Sequence, residues 1–374
     1  MHKAAISGTG VFTPQEIVTN AELVAAYNAY AERQNRLHAS AIEAGERTAL
    51  QMSSEEFIEK ASGIRQRHVI EKSGILDPSV MHPVLPERAN EDLSLMAEIS
   101  VKAAKEAMSA AQATAADIDA VICAASNHER AYPAIAIEVQ QALGIKGFAF
   151  DMNVACSSAT FAIQLANDMI RAGSARAVLI VDPEITSGHQ EWRDRDCHFI
   201  FGDVCTAIVV QHADDVKSDS AYEIVSTRLL TEFSNAIRNN NGFLRRTREG
   251  QMADRRDMQF MQEGRKVFKQ VVPIVSDLIL GHLADEAIAP SDLSRLWLHQ
   301  ANKTMNDLIA AKVMGREPTR EEQPNVLQDY ANTSSAGSII AFSKYSDDLP
   351  KGSLGVICSF GAGYSAGSVI VRRM

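Results

Sequence analysis

Three short stretches constrain this chain more than anything else in it: Ile118–Ala125, Arg176–Val181 and Cys205–Val210 are almost continuously apolar. A strand that is apolar on both faces has to be covered on both, and helices do that in α/β proteins. Helical patterns duly fall between and around them. Residues 92–113 place Leu93, Met96, Ile99, Ala103, Ala107 and Ala110 on one face. A second helix covers 134–143 and stops at Gly144, and a third follows Cys156 with Phe161, Ile163, Leu165, Met169 and Ile170. The alternation is βαβα.

The remainder is read on the same terms. Residues 3–11 form a strand running into Gly8-Thr9-Gly10, and Thr19 or Asn20 caps a helix. A helical insertion of about 28–60 follows, which is either a lid over an entrance or a surface elaboration. Residues 218–264 are polar and basic and read as loop or insertion. A helix over 263–287 comes next, then the strand Leu296–Leu298, helices opened by His299-Gln300-Ala301-Asn302 and by Asn332-Thr333-Ser334-Ser335, and closing strands Gly355–Phe360 and Gly367–Arg372. The expected division is into two halves of similar plan, 1–215 and 216–374, although no fixed-period repeat is visible.

Composition removes several function classes. The longest apolar runs are too short and interrupted to cross a bilayer, and the first residues lack a signal-peptide pattern, so a cytoplasmic protein without a membrane is expected. Five cysteines (Cys123, Cys156, Cys197, Cys205, Cys358) include no CxxC pair and no zinc spacing, which predicts reduced thiols and no metal. A formal charge of −10 argues against nucleic-acid binding, while leaving room for a local basic patch that meets an acidic partner.

Chemistry gathers where apolar strands give way to helices. Cys156 lies in Ala155-Cys156-Ser157-Ser158 at such a junction, where small neighbours leave room for a substrate. The helix end is expected to lower the thiol pKa and make the sulfur a nucleophile. His299 and Asn332 occupy similar junctions in the second half. Each alone could be a core histidine or a helix cap. Together they offer donors to a developing negative charge beside a thiolate, because ligands collect at the carboxyl ends of strands in such sheets.

The set Asp151…Ala155-Cys156-Ser157-Ser158, His299-Gln300-Ala301-Asn302, Asn332-Thr333-Ser334-Ser335-Ala336 and Phe360-Gly361-Ala362-Gly363-Tyr364 resembles the β-ketoacyl-ACP synthase III family of the thiolase superfamily, over nearly the whole chain. The resemblance implies an α/β, thiolase-like, five-layered αβαβα fold with two similar halves, usually a homodimer. It also implies decarboxylative Claisen condensation of an acyl thioester primer with malonyl-ACP. Cys156 would carry the acyl group, the backbone N–H groups of Cys156 and Ala362 would form the oxyanion hole, and His299 and Asn332 would hold the enolate oxygen. Acyl-CoA and malonyl-ACP are substrates, and no cofactor is implied. A degradative thiolase carries a second cysteine where Ser359 stands; Cys358, one residue away, is read as a strand cysteine.

Departures from the family pattern bear on substrate. Phe57 and Ala61 stand where acetyl-CoA-using members carry a tryptophan and an arginine that grip CoA, while Arg195 matches the other stacking arginine. The resemblance also implies that Asn302 is a further substrate-side residue and that Tyr132 is the position that gates primer length from the partner subunit. The changed entrance suggests a medium-chain acyl-CoA primer. For docking of the acidic carrier protein the resemblance points to Lys269, with Arg265 and Lys303 beside it and Arg245, Arg246, Arg248, Arg255 and Arg256 as an extension; Thr304 replaces a family arginine. The alternatives are a related condensing enzyme of secondary metabolism, an acyl-thioester hydrolase, and a non-catalytic binding protein.

Overall fold

The structure is a computed structural model, which describes residues 2–244 and 256–374 of the 374-residue chain. Strand β1 (Ala4–Phe12) leads to β2 (Glu16–Thr19) and α1 (Asn20–Leu37), which starts on a capping box made by Thr19 and Glu22. Then come α2 (Ala39–Glu43), α3 (Glu55–Ser62), β3 (Gln66–Val69), α4 (Ser73–Leu76) and α5 (Leu95–Ala110). The first half closes with β4 (Ala120–Ala124), α6 (Ile135–Leu143), β5 (Phe148–Met152), α7 (Ser158–Ala172), β6 (Ala177–Glu184) and β7 (Val204–His212). The second half carries β8 (Tyr222–Ser234), β9 (Ile237–Arg238), β10 (Met261–Gln262), α8 (Gly264–Asp285), β11 (Leu293–Leu298), α9 (Lys303–Met314), α10 (Leu327–Tyr330), α11 (Ala336–Lys344), β12 (Leu354–Gly361) and β13 (Gly363–Arg373).

Nine strands hydrogen-bond in the order β11-β12-β13-β8-β1-β7-β6-β4-β5. Strands from the first half occupy one end and strands from the second half the other. They meet at only two residue pairs, Ala5↔Glu223 and Ile6↔Tyr222. Around that seam the core divides into layers. Residues of α7 and α11, among them Ile163, Ile170, Ile339 and Phe342, share one buried cluster with strands of both halves. Helices α5 and α6 cover the outer face of β4, β6 and β7, and α8 and α9 cover the outer face of β11, β12 and β13. The result is α–β–α–β–α, the five layers expected.

Three expectations need correction. Residues 218–264 are not simply loop: they contain the 13-residue β8, paired antiparallel with β13 from Gly363↔Ser234 to Arg373↔Tyr222. Many of its residues are only partly buried, so its apolar side chains are interleaved with Glu, Ser, Thr and Arg and never form a run. The insertion of 28–60 is helical only in part, since residues 44–54 between α2 and α3 have no helix. Finally, α8 is by length and composition apolar enough to cross a membrane. Its Val267, Val271, Val275, Ile279 and Leu283 are instead buried in the second-half core.

Candidate active site

Cys156 stands in the link between β5 and α7. Ala155 takes a left-handed φ of 48°, and successive bonds from Ser157 N to Val154 O (3.1 Å) and from Ser158 N to Ala155 O (3.1 Å) tighten the turn. Ser157 Oγ anchors it by donating to the Ser365 carbonyl (3.0 Å), and Ser158 Oγ donates to Ala155 O (2.7 Å). Gly361, at the end of β12, passes so close that a Cβ there would lie 2.5 Å from the Cys156 Cβ and 2.9 Å from its Sγ.

The electrostatics of the thiol differ from the sequence expectation. Burial pushes Cys156 up to about 11, although the Ser334 hydroxyl (Oγ–Sγ 3.4 Å) and the backbone N–H groups of Ala362 and Cys156 act to lower it. Removing a thiolate from water costs more than the helix end and these donors return. The same two N–H groups are those expected to form an oxyanion hole.

His299 ends β11. Its N–H donates to Cys358 O (2.8 Å), and Asn306 Nδ2 donates to its carbonyl (2.8 Å), which fixes the backbone. The ring meets Phe360 edge-on at 5.1 Å, its Nδ1 has no hydrogen-bond partner, and burial holds its pKa down near 4. The imidazole is therefore neutral near pH 7. Asn332 donates its backbone N–H to Ile200 O (2.9 Å), and its Oδ1 accepts from Ser334 N (2.9 Å). With Oδ1 so engaged, the Nδ2 amide is the end left to donate. It is not a helix cap, since α11 begins after Ser335.

Cys156, His299 and Asn332 line one cavity of about 470 Å³, together with Phe199, Phe201, Phe260, Phe268, Met305 and Gly361. Two strand-to-helix junctions, those of Cys156 and His299, thus open into a single space with Asn332, which the sequence placed after a strand but which lies in the link between α10 and α11. Asn302 lines it too, but both ends of its amide are engaged: Oδ1 caps α9 at Met305 N (3.1 Å) and Nδ2 donates to Ala61 O (2.7 Å). Arg265 and Lys269 contribute to the wall, whereas Lys303 is paired with Asp307 (2.6 Å). Arg245, Arg246, Arg248 and Arg255 lie outside the described residues, and Arg256 is turned inward onto Asp194 (2.7 Å). Phe57 and Arg195 stack on each other, guanidinium to ring centroid 3.8 Å, so a nucleotide base has to part them to be gripped between them. Tyr132 is 84% exposed and lines a second cavity, of about 1130 Å³, away from the thiol of its own chain.

Cys358 is a buried strand residue of β12, and Ser359 Oγ lies 2.7 Å from Ser338 Oγ. All five cysteines are free. Donor atoms of Cys123, His128 and Asp151 come within 4.8 Å of one another, a grouping their spacing did not suggest; Asp151 is occupied in capping α6 through Ile135 N and Ala136 N (2.8 Å each). Sequence reasoning missed Ser334, Asp182 and Glu184. Two carboxylates ending the buried strand Ala177–Glu184 were the available signal.

Comparison with known proteins agrees with this geometry. The model of 3-oxoacyl-[acyl-carrier-protein (ACP)] synthase III matches residues 150–231 and that of its C-terminal part matches 283–373. A Pseudomonas aeruginosa protein named beta-ketodecanoyl-[acyl-carrier-protein] synthase is 57% identical over 93% of this chain and 99% of its own. Beta-ketoacyl-[acyl-carrier-protein] synthase III of Acidiphilium cryptum is 30% identical over the full length of both. Among solved structures, 3-oxoacyl-[acyl-carrier-protein] synthase III from Aquifex aeolicus has a TM-score of 0.75 at 24% identity, with 99% of each chain covered, and speaks for the fold. Identity of this extent over whole chains, with a cysteine, a histidine and an asparagine opening on one cavity, means that the chain belongs to the 3-oxoacyl-[acyl-carrier-protein] synthase III family.

Proposed function

We propose that this enzyme condenses a medium-chain acyl primer, delivered as its CoA thioester, with malonyl-ACP through an acyl-Cys156 intermediate, in fatty acid synthesis. The observation that carries the reading is the shared cavity of Cys156, His299 and Asn332. Cys156 attacks the primer carbonyl, and the N–H groups of Cys156 and Ala362 hold the oxyanion; one such donor is worth roughly 3 kcal/mol in the transition state. CoA leaves and malonyl-ACP enters. Loss of CO₂ turns the malonyl thioester into an enolate, so no base has to take a proton from carbon. The Asn332 amide and the neutral His299 ring donate to the enolate oxygen while its carbon attacks the acyl-Cys156 carbonyl. The thiolate of Cys156 departs and β-ketoacyl-ACP is released. Both thioesters bring their own activation, so the chemistry as written calls on no cofactor.

Primer length is supported by the 57%-identical relative, whose name specifies a β-ketodecanoyl product. Two of those carbons come from malonyl, so the primer is an eight-carbon acyl group. The basic wall residues Arg265 and Lys269 suit the phosphopantetheine-bearing end of an acidic carrier. A second copy of the chain is the further partner: β5 ends the sheet with one edge unpaired, and Tyr132 then reaches the neighbour's primer site.

Intact-protein mass spectrometry with acyl-CoAs from acetyl to dodecanoyl, before and after malonyl-ACP, tests the reading. The expected result is an adduct on Cys156 that is greatest with octanoyl-CoA and is discharged as β-ketodecanoyl-ACP. Loss of the adduct to water without malonyl-ACP marks a hydrolase, and no adduct with any CoA refutes the CoA-borne primer.

A further inference from the structure

The cavity of Cys156 and the larger one lined by Tyr132 lie back to back. Asn153, on the same link as Cys156, lines the second cavity and not the first. Three rings stand between them. Phe201 and Phe260 line the thiol's cavity, and His189 lines the second. Phe260 meets Phe201 edge-on at 4.7 Å, while His189 meets Phe201 edge-on at 5.1 Å and stacks on Phe260 at 6.3 Å. Edge-to-face and offset contacts are the ones aromatic rings favour, so the three close on one another as a partition.

The partition is fastened through its backbone. His189 ends a tight turn, Thr186–His189, whose Thr186 Oγ1 donates to Gly202 O (2.6 Å) and whose Ser187 Oγ donates to Asp203 (2.7 Å). Phe260 N donates to His189 O (2.9 Å), and Phe201 N donates to Gln190 Oε1 (2.8 Å). With the main chain held, the His189 side chain is the part that can swing. One hydrogen bond opposes that: the amide of Asn127, in the link after β4, donates to His189 Nδ1 (2.7 Å).

A thioester primer has a polar end and an apolar end. Its charged carrier belongs with Arg265 and Lys269, and its acyl tail belongs with the apolar lining, which the partition closes. Beyond the rings the lining turns mixed, with Ile185 and Met96 interspersed among Asn127, Asn153, Glu184 and Arg130. Methylenes pushed through would trade aromatic contacts for polar groups and gain little from leaving water. We propose that the His189 ring, pinned by Asn127 behind Phe201 and Phe260, sets the longest primer that Cys156 accepts, which rests on Cys156 carrying the acyl group. A chain that ends at the partition is loaded. A longer one enters only when the ring swings into the second cavity and gives up its Asn127 bond. His189 is the specificity-determining residue, and Asn127 is a positioning residue that acts through it.

The alternative, that the neighbour's Tyr132 alone limits the chain, predicts no effect of either residue. The experiment measures the initial rate of Cys156 acylation, by intact mass, with acyl-CoAs from hexanoyl to tetradecanoyl. Wild type is expected to peak at octanoyl-CoA. His189→Ala removes the ring and is expected to raise the rate with decanoyl-CoA relative to octanoyl-CoA by about 10-fold or more, the scale on which a pocket discriminates by chain length. Asn127→Ala frees the ring without removing it, shifts the same ratio in the same direction by less, and carries the test should His189→Ala fold poorly. A purely structural role would instead lower loading at every length alike. An unchanged profile in folded variants, or a uniform loss across the ladder, overturns the assignment. A wild-type optimum other than octanoyl corrects the primer, while His189 still has to move that optimum to longer chains. No adduct from any CoA on wild type refutes the CoA-borne primer, and the same ladder of acyl-ACPs then tests the ring.

Discussion

The two half-reactions proposed for this site use different side chains, so single substitutions should separate them. Asn332 donates through Nδ2 because its Oδ1 is held by Ser334 N, and His299 donates as a neutral ring; neither is needed to load Cys156. Asn332→Ala and His299→Ala are expected to leave the acyl-Cys156 adduct forming within a few-fold of wild type. Condensation with malonyl-ACP should fall by about 100-fold or more, which is what losing a donor to a developing oxyanion costs. Equal loss of both steps would count against that division. Gly361→Ala tests the nucleophile instead. The added methyl would press on Cys156 Cβ and Sγ from a strand that cannot move away, and displacing a reacting atom by about 1 Å costs on the order of 100-fold. Acylation should drop accordingly while the circular dichroism spectrum is retained. At this scale the sequence showed Cys156 and His299 because each follows an apolar strand and leads into a helix, and Asn332 because it opens a run of small residues before α11, although it lies between two helices and follows no strand. Ser334 and Glu184 were hidden: a serine in a small-residue run and an acid at a strand end look like turn and surface until the fold buries them together.

Between elements, the link that matters most to the cavity wall is the one from α3 to α9. Asn302 caps α9 and in the same amide bonds to Ala61 O near the end of α3, close to where Gly63 packs on Lys303. Asn302→Ala removes both bonds. A lost N-cap costs about 1 kcal/mol, and urea unfolding should register at least that. KM for acyl-CoA should rise as the entrance loosens, while kcat changes little. A destabilisation below about 0.3 kcal/mol would show that the cap is idle. The elements most easily read from the sequence were those with a period or a run: α5, whose Met96, Ile99, Ala103 and Ala107 are buried as expected while Ala110 is exposed, and β4, β6 and β7, which are buried on both sides. Strand β8 was lost because Tyr222, Ile224-Val225, Leu229-Leu230 and Phe233 come singly or in pairs between charged and hydroxyl residues, with neither a run nor a period of two, and the basic stretch after Ser234 coloured the whole segment. Its place is decided by tertiary pairing, between β13 on one side and β1 on the other.

For the whole molecule the open question is what covers β5. This strand hydrogen-bonds to β4 on one side only, and an unpaired edge with apolar side chains is a template for another chain. Phe148 on β5 is 44% exposed, and Ile137 on α6, which packs against β5, is 45% exposed. A second copy of the chain, meeting β5 edge to edge, would pair those backbone groups and bury both side chains. Sedimentation of the wild type is then expected to give twice the chain mass of 40.7 kDa. Phe148→Lys places a charge at that edge and should shift the equilibrium toward single chains without unfolding them, since the residue lies outside the core. The functional consequence follows from Tyr132, which is exposed and lines the second cavity, whose wall does not include the thiol of its own chain. Where primer length is gated by the neighbour's Tyr132, the monomeric variant loses discrimination among acyl-CoAs even if Cys156 still loads. A Phe148→Lys variant that is monomeric yet keeps the wild-type chain-length preference would remove Tyr132 from primer selection. A wild type that sediments at 40.7 kDa would remove the second copy altogether.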